Sequence, residues 1–315
     1  MNLFKKITVV GAGTMGHGIA LACAMGRTPV MLVDVQKNML LAAEKKIREA
    51  LQTIIECGLV DPSDELSVLS AITYTDSLAT GVDGADLVIE TITERLELKE
   101  KLYNDLEQIC SPETIISTNT SSLPVTQLAA MTQRPDRFVG THFFNPPHVV
   151  PLVEVVQGPQ TTEETIEKTM AFMAAIGKHP VHVRVDLPGF IANRIQLAMI
   201  REALSLAQKG IASPEDIDNV IKKSVALRLI FIGPLEQRDF SGLDVHVAAS
   251  GYLYPFLEDT KQPVQILVDK VAAGHCGMKT GKGFYDWTGK DIAKETAAKN
   301  KKMFALMRFL DTLED

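Results

Sequence analysis

Short apolar runs alternate with longer segments of helical spacing through the first half of the chain. KKITVV (5–10) has the pattern of a buried strand and is stopped by the glycine run GAGTMGHG; a helical segment opens near Met15, and MLVDV (31–35) is a second strand. Residues 37–57, KNMLLAAEKKIREALQTIIEC, space their apolar side chains at helical intervals and predict an amphipathic helix. DLVIETI (86–92), ELKEKLYNDLEQIC (97–110) and TIISTNTS (114–121) then read as strand, helix and strand. Strands that alternate with helices predict a parallel sheet with helices on both faces.

After Pro188-Gly189 the texture changes. FIANRIQLAMIREALSLAQK (190–209) is a long helical run with Gly210 as its stop, and Ser213-Pro214-Glu215-Asp216 has the form of a helix start, Ser213 capping and Pro214 in the first turn. The rest is mostly helical down to GMKTGKGFYDW (277–287). The expected organisation is an α/β domain over 1–187 and an all-α domain over 188–315. In the last segment, Met303, Phe304, Leu306, Met307, Leu310 and Leu313 share one helical face. That face packs on the protein's own core or against another subunit.

Charge narrows the partners. Against 39 acidic residues stand 32 basic ones, a net −7, which gives no general attraction for nucleic acid or an anionic membrane. No stretch approaches the roughly 18 uninterrupted apolar residues of a membrane span. The four cysteines (Cys23, Cys57, Cys110, Cys276) have neither metal-like nor redox spacing, so no metal is expected, and a reducing, cytoplasmic compartment is the simplest account. Lys279-Thr280-Gly281-Lys282-Gly283 lacks the strand-to-helix context of a phosphate loop and is taken as a structural turn.

Gly11-Ala12-Gly13-Thr14-Met15-Gly16 fits G-x-G-x-x-G directly after a strand and opening a helix. Its glycines permit a tight turn, close approach of a pyrophosphate and close packing of helix on strand. A second strand ends at Asp34, 18 positions beyond Gly16, where a carboxylate can accept from both ribose hydroxyls. An acidic residue there repels a 2′-phosphate. The pattern predicts a Rossmann-type doubly wound sheet binding NAD rather than NADP. His17, beside the loop, has no assigned role.

Two other apolar runs, THFF (141–144) and PLVEVV (151–156), each carry one titratable residue. His142 and Glu154 are either quietly satisfied in a core or meet and do chemistry. A dehydrogenase must take a hydroxyl proton as hydride leaves, a task suited to neutral imidazole; a carboxylate on the other ring nitrogen fixes the tautomer. The two residues are 12 positions apart with a proline-containing bend between them, and they meet if the chain reverses there.

In order along the chain, GAGTMGHGIA (11–20), STNTSSL (117–123), HFFNPP…LVEVV, GKHPV (177–181), PGFIANR (188–194), IGP (232–234) and GMKTGKGFY (277–285) resemble the 3-hydroxyacyl-CoA dehydrogenase family. The resemblance implies NAD-dependent interconversion of a 3-hydroxyacyl and a 3-oxoacyl compound, bound between the two domains. It implies His142 as general base and Glu154 as its orienting partner, with Ser121 and Asn193 contacting the reacting oxygen or carbonyl. Asp34, Glu94, Lys99, Asn119 and Asn145 match positions near the cofactor's ribose and nicotinamide. A homodimer through the helical domain is implied as well.

The resemblance thins at three places. Members acting on CoA thioesters typically carry a Lys where Pro151 stands, and His148 is an addition. Such members tend to place basic residues after the second strand, near the CoA phosphate, whereas residues 49–94 here contain no Lys or Arg. GPLEQRDFSGLD (233–244) puts Gln237 and Arg238 where apolar residues are usual; Arg238 either binds a substrate carboxylate or is a surface Arg beside Asp239. His148 and Arg238 are therefore candidate substrate contacts. The form resembles offshoots of the family acting on gulonate-, carnitine- or pyridine-carboxylate-like acids without CoA. A related family, the 6-phosphogluconate and 3-hydroxyisobutyrate type, resembles one needing a Lys on the long helix, and PGFIANRIQLAMIREA has none. A non-catalytic NAD-binding or structural protein is the competitor of another class; an intact His142 and Glu154 argue against it.

Overall fold

The computed structural model describes residues 4–313; residues 1–3 and 314–315, the outer ends of the two expected domains, lie outside it. Eight strands form one sheet: β1 Ile7–Val10, β2 Val30–Val33, β3 Ile72–Thr75, β4 Leu87–Glu90, β5 Ile115–Thr118, β6 Phe138–Phe143, β7 Leu152–Gln157 and β8 His179–Val183. Their order is β3-β2-β1-β4-β5-β6-β7-β8. The first six run parallel, as expected from the alternation of strands and helices. The last two run the other way, β7 antiparallel to β6 and β8 parallel to β7. A parallel return needs a crossover of about a dozen residues or more, and the loop 144–151 is too short to supply one.

Around the sheet lie α1 Gly16–Met25, α2 Lys37–Glu56, α3 Glu65–Ser70, α4 Leu78–Val82, α5 Leu96–Ile109, α6 Val125–Ala129 and α7 Glu163–Ala175. The central strands ITVV and LVIE are buried at every position, as strands covered on both faces must be. Alternate side chains feed two separate cores. Ile7, Val9, Leu32, Leu87 and Ile89 pack with Ile19, Ile47 and Phe172 of α1, α2 and α7. Val10, Val33, Val88 and Ile116 pack with Val82, Tyr103 and Leu128 of α4, α5 and α6. Helix α2 buries Leu40, Ala43, Ile47, Leu51 and Ile54, the stripe that its sequence spacing predicts.

By contacts the chain divides into one unit running to Ile191 and resuming at Ala293, and a second, Ala192–Ile292. The second holds α8 Ala192–Gln208, α9 Pro214–Val220, α10 Ala226–Leu229, α11 Pro234–Ser241, α12 Leu243–Leu253 and α13 Gln265–Ala272. Gly210 follows α8 at φ +64, and Ser213 caps α9, its Oγ accepting from the Asp216 amide at 3.1 Å. The KTGKG segment is a turn closed by the Gly277 amide on the Lys282 carbonyl at 2.7 Å, with no strand-to-helix junction.

The last helix, α14 Ile292–Asp311, packs almost wholly with the first unit. Phe304 is buried in that unit's core, Lys301 pairs with Glu56 at 2.8 Å, and Arg308 donates to the Cys57 carbonyl. Of the two destinations open to this apolar face, Phe304 takes the protein's own core. Residues 293–313 thus group with the α/β unit rather than with the helices of 192–292.

Candidate active site

The register of β6 against β7 places His142 directly opposite Glu154. Opposed residues of an antiparallel pair point to the same face, and here both are buried, at 5% and 1% exposure. His142 Nδ1 and Glu154 Oε2 are 2.8 Å apart. A carboxylate only accepts, so Nδ1 carries the proton and Nε2 is left with a lone pair that can take one. The other carboxylate oxygen, Oε1, accepts from the Ile191 amide at 2.9 Å. The rings of Phe144 and Phe190 lie 4.5 and 5.3 Å from the imidazole, centroid to centroid.

The glycine turn lies between β1 and β4, where the strand order reverses and open α/β sheets bind their ligands. Gly11 is at φ +106, and Thr91 Oγ1 donates to its carbonyl at 2.9 Å. A Cβ on Gly16 would stand 1.7 Å from the Gly11 oxygen, so only glycine lets α1 start there; a Cβ on Gly13 would meet nothing within 4 Å, which leaves room over the turn. Thr14 is exposed, and Met15 packs partly into the core. Asp34 follows β2, its two oxygens accepting from the Ala12 and Gln36 amides, each at 2.9 Å. It lines a groove of about 400 Å³ walled by Gly11, Gly13, Val35, Leu78, Ile92 and Leu98. This fits NAD: the Gly11–Gly16 turn would hold the pyrophosphate, Asp34 the ribose hydroxyls and the apolar walls the ring beyond.

Asn119, at the end of β5, accepts from the Phe143 amide through Oδ1 at 2.9 Å and so ties the strand beside His142. Ser121 is exposed on the following loop, its amide donating to Glu94 Oε1 at 3.0 Å. Glu94 also accepts from Thr120 Oγ1 and the Ser122 amide. Burial pushes its carboxyl up, but the Thr120 hydrogen bond and the Lys99 charge outweigh this and hold it below the usual range. Asn145 is exposed on the loop leaving β6.

His148 packs against α1, where a Cβ on Gly18 would come within 2.9 Å of its Nδ1; its ring is 6.4 Å from that of His17. Burial, then His17 and Lys178, push it down to about 4, so near pH 7 it offers no charge to a carboxylate. His17 itself binds the Gly13 carbonyl at 2.7 Å and is pulled down by burial. In the second unit, Asn193 lies in the first turn of α8, and Arg238 is exposed on α11 with its Nη1 3.0 Å from His246 of α12. His246 is thus the side chain against which the Arg238 guanidinium rests. Among the described residues no group of three His, Cys, Asp or Glu could hold a metal, and no helix is long and apolar enough to cross a membrane.

The family model for the NAD binding domain of 3-hydroxyacyl-CoA dehydrogenase matches residues 6–186, and that for the C-terminal domain matches 189–287. The chain belongs to the 3-hydroxyacyl-CoA dehydrogenase family. It is an NAD-dependent oxidoreductase of Rossmann architecture with a helical second domain. A probable 3-hydroxybutyryl-CoA dehydrogenase of Bacillus subtilis is 40% identical over 287 residues, 91% of this chain and 98% of that protein. The crystal structure of 5-formyl-3-hydroxy-2-methylpyridine 4-carboxylic acid 5-dehydrogenase, described as an NAD+-dependent dismutase, superposes with a TM-score of 0.91 at 32% identity over 98% of both chains. That of (S)-3-hydroxybutyryl-CoA dehydrogenase from Ralstonia eutropha gives 0.75 at 38% identity, over 90% of this chain and 99% of the other.

Two residues, Glu90 and Lys178, have no role in the sequence pattern above. Glu90 ends β4 fully buried, accepting from Lys99 Nζ at 2.7 Å on each oxygen, from Tyr103 at 2.8 Å and from Thr118 at 2.7 Å. Lys99, itself buried, reaches Glu94 at 3.0 Å as well; its ammonium acts on the Ser121 loop through Glu94. An acidic residue inside DLVIETI is the same anomaly that marked His142 and Glu154, and could have flagged Glu90. Lys178 donates to the Pro147 and Val150 carbonyls at 2.6 and 3.0 Å, clamping the loop between β6 and β7; burial pulls it down to about 8. Its signal was the Lys of GKHPV. Replacing Lys99 by Met leaves Glu90 without its cation, and breaking a buried pair this way costs about 3–5 kcal/mol. Urea unfolding of Lys99→Met should show that loss; a change below about 1 kcal/mol, the value of an exposed pair, would mean the cluster is solvated.

Proposed function

We propose that this chain interconverts a hydroxyl and a carbonyl group on a small carboxylate substrate that carries no CoA. The observation that carries the reading is the charge of the stretch 49–94. That stretch has no Lys or Arg, and three of the cations reaching it from outside sit beside carboxylates: Arg27 near Asp64, Lys37 near Asp76 and Lys301 against Glu56. A phosphate-rich tail relies on charge-assisted contacts, which paired cations supply poorly. The 0.91 superposition on a pyridine-carboxylate dehydrogenase, against 0.75 for a hydroxybutyryl-CoA dehydrogenase, supports the same choice. Arg238, exposed on α11, is the proposed contact for the substrate carboxylate.

Bound NAD supplies the hydride acceptor. His142 takes the hydroxyl proton at Nε2, and Glu154 holds the ring and stabilises the imidazolium that forms. Ser121 and Asn193 hold the substrate oxygen, where their donors meet developing charge. Glu94, Asn119 and Asn145 serve the nicotinamide side of the site, with Lys99 behind Glu94.

A thioester substrate is the second reading, favoured by the 40% identity to the Bacillus subtilis relative. We infer further that the chain works in the cytoplasm, since Cys23, Cys57, Cys110 and Cys276 are all unpaired. We also propose a homodimer through the second unit, which leaves Phe240, Val247, Tyr252 and Phe256 each at least 70% exposed.

Three measurements test these readings. NADH consumption should be fast with a free oxo-acid or a pyridine carboxylate bearing an aldehyde, and slow with acetoacetyl-CoA; activity confined to the thioester would overturn the CoA-free assignment. His142→Ala and Glu154→Gln should each lower kcat by about 10²–10⁴ with NAD affinity nearly unchanged, and full activity in either would remove the pair from the chemistry. Light scattering should give twice the 34.4 kDa chain mass; a monomer would sink the dimer.

A further inference from the structure

Phe190 has φ +48, a left-handed conformation that a bulky L-residue adopts only where its surroundings impose it. Among the described non-glycine residues Arg27, at φ +57, shares that region, but it is highly exposed just past the end of α1, where left-handed residues are common. Phe190 is buried and comes before a helix, not after one. Gly189 precedes it at φ +81, so two successive left-handed residues turn the chain, and the Phe190 amide closes the turn on the Leu187 carbonyl at 3.0 Å.

Both products of that turn land on the buried pair. The Phe190 ring lies 5.3 Å from the His142 imidazole, tilted 59° to it. The next amide, that of Ile191, donates to Glu154 Oε1 at 2.9 Å. One side chain thus covers the histidine while the adjoining peptide holds the carboxylate. Strained backbone persists where packing over-determines it, and such strain clusters where geometry matters to function. A hydrogen bond is also stronger, and its geometry better kept, where water is excluded.

We propose that Phe190 is a positioning residue for the His142–Glu154 pair: its left-handed backbone aims the Ile191 amide at Glu154, and its ring shields the imidazole from water. The consequence for rate rests on His142 being the general base; the placement itself can be measured without turnover.

The probe is the low-field proton resonance of His142 Nδ1–H, recorded by NMR on the whole chain and assigned by its loss in His142→Ala. Phe190→Asn tolerates the left-handed turn but removes the ring. Its low-field resonance should broaden through exchange with water, and kcat with the fastest compound of the substrate panel should fall about tenfold. NAD affinity should stay within about twofold, since uniform binding is untouched. In the His142→Ala background the same substitution should cost nothing further. Phe190→Tyr, which keeps the ring, should restore the sharp resonance. If Phe190→Asn does not fold, Phe190→Gly gives the same readout without strain, and Phe190→Leu, keeping bulk but no ring, should exchange faster than the unsubstituted chain. An unchanged resonance in the folded ringless variant, or an equal rate loss with and without His142, overturns the proposal. Full activity of His142→Ala would sink the general-base reading alone, with the resonance still deciding what Phe190 does.

Discussion

Burying a carboxylate on an interior strand costs free energy unless donors face its oxygens, and the β6–β8 end of the sheet is arranged around satisfying Glu154. His142 Nδ1 faces one oxygen and the Ile191 amide the other. The first requires the antiparallel register of β6 and β7, because a slip by one residue would send His142 to the opposite face of the sheet. The second requires the chain leaving β8 to turn back sharply at Gly189 and Phe190. Lys178, just before β8, fixes the loop between β6 and β7 by its carbonyls. Strand reversal, loop clamp and left-handed turn thus converge on one hydrogen-bonded pair.

The same physics operates a second time at Glu90. Its oxygens are met by Lys99, Tyr103 and Thr118 from the helix and strand that follow. Lys99 passes the constraint to Glu94, and Glu94 holds the amides of the loop carrying Ser121. Two buried carboxylates at the same end of the sheet therefore order two different parts of the site. The glycine turn after β1 lies beside them, so the cofactor turn and both buried carboxylate clusters share one platform built from the ends of β1, β4, β5 and β6.

Much of this was legible in the residues. Helix α2 follows its apolar stripe, and Gly11–Gly16 with Asp34 stand at a strand end beside a groove, as their spacing required. His142 and Glu154 were conspicuous because each interrupts an apolar run, and a proline bend between them gave the chain a way to reverse. What local pattern left out were weak elements and distant partners. ITYT forms the edge strand β3 half exposed, without the apolar run that marks a central strand. Whether Phe304 met the protein's own core or another subunit could not be read from an amphipathic pattern, which specifies a face but not what covers it.

The sequence by itself determined the fold class, the cofactor and the two residues most out of place in apolar strands, because periodicity, glycine spacing and burial preference act over a few neighbouring positions. Tertiary structure decided the roles that depend on three-dimensional neighbours. Lys99 lies between Glu90 and Glu94. His148 turns toward α1, where burial keeps it uncharged. Phe190 takes a backbone conformation its own side chain disfavours. Each is a response to charge, space or hydrogen-bonding need created by residues far away in the chain, and no local pattern carries that information.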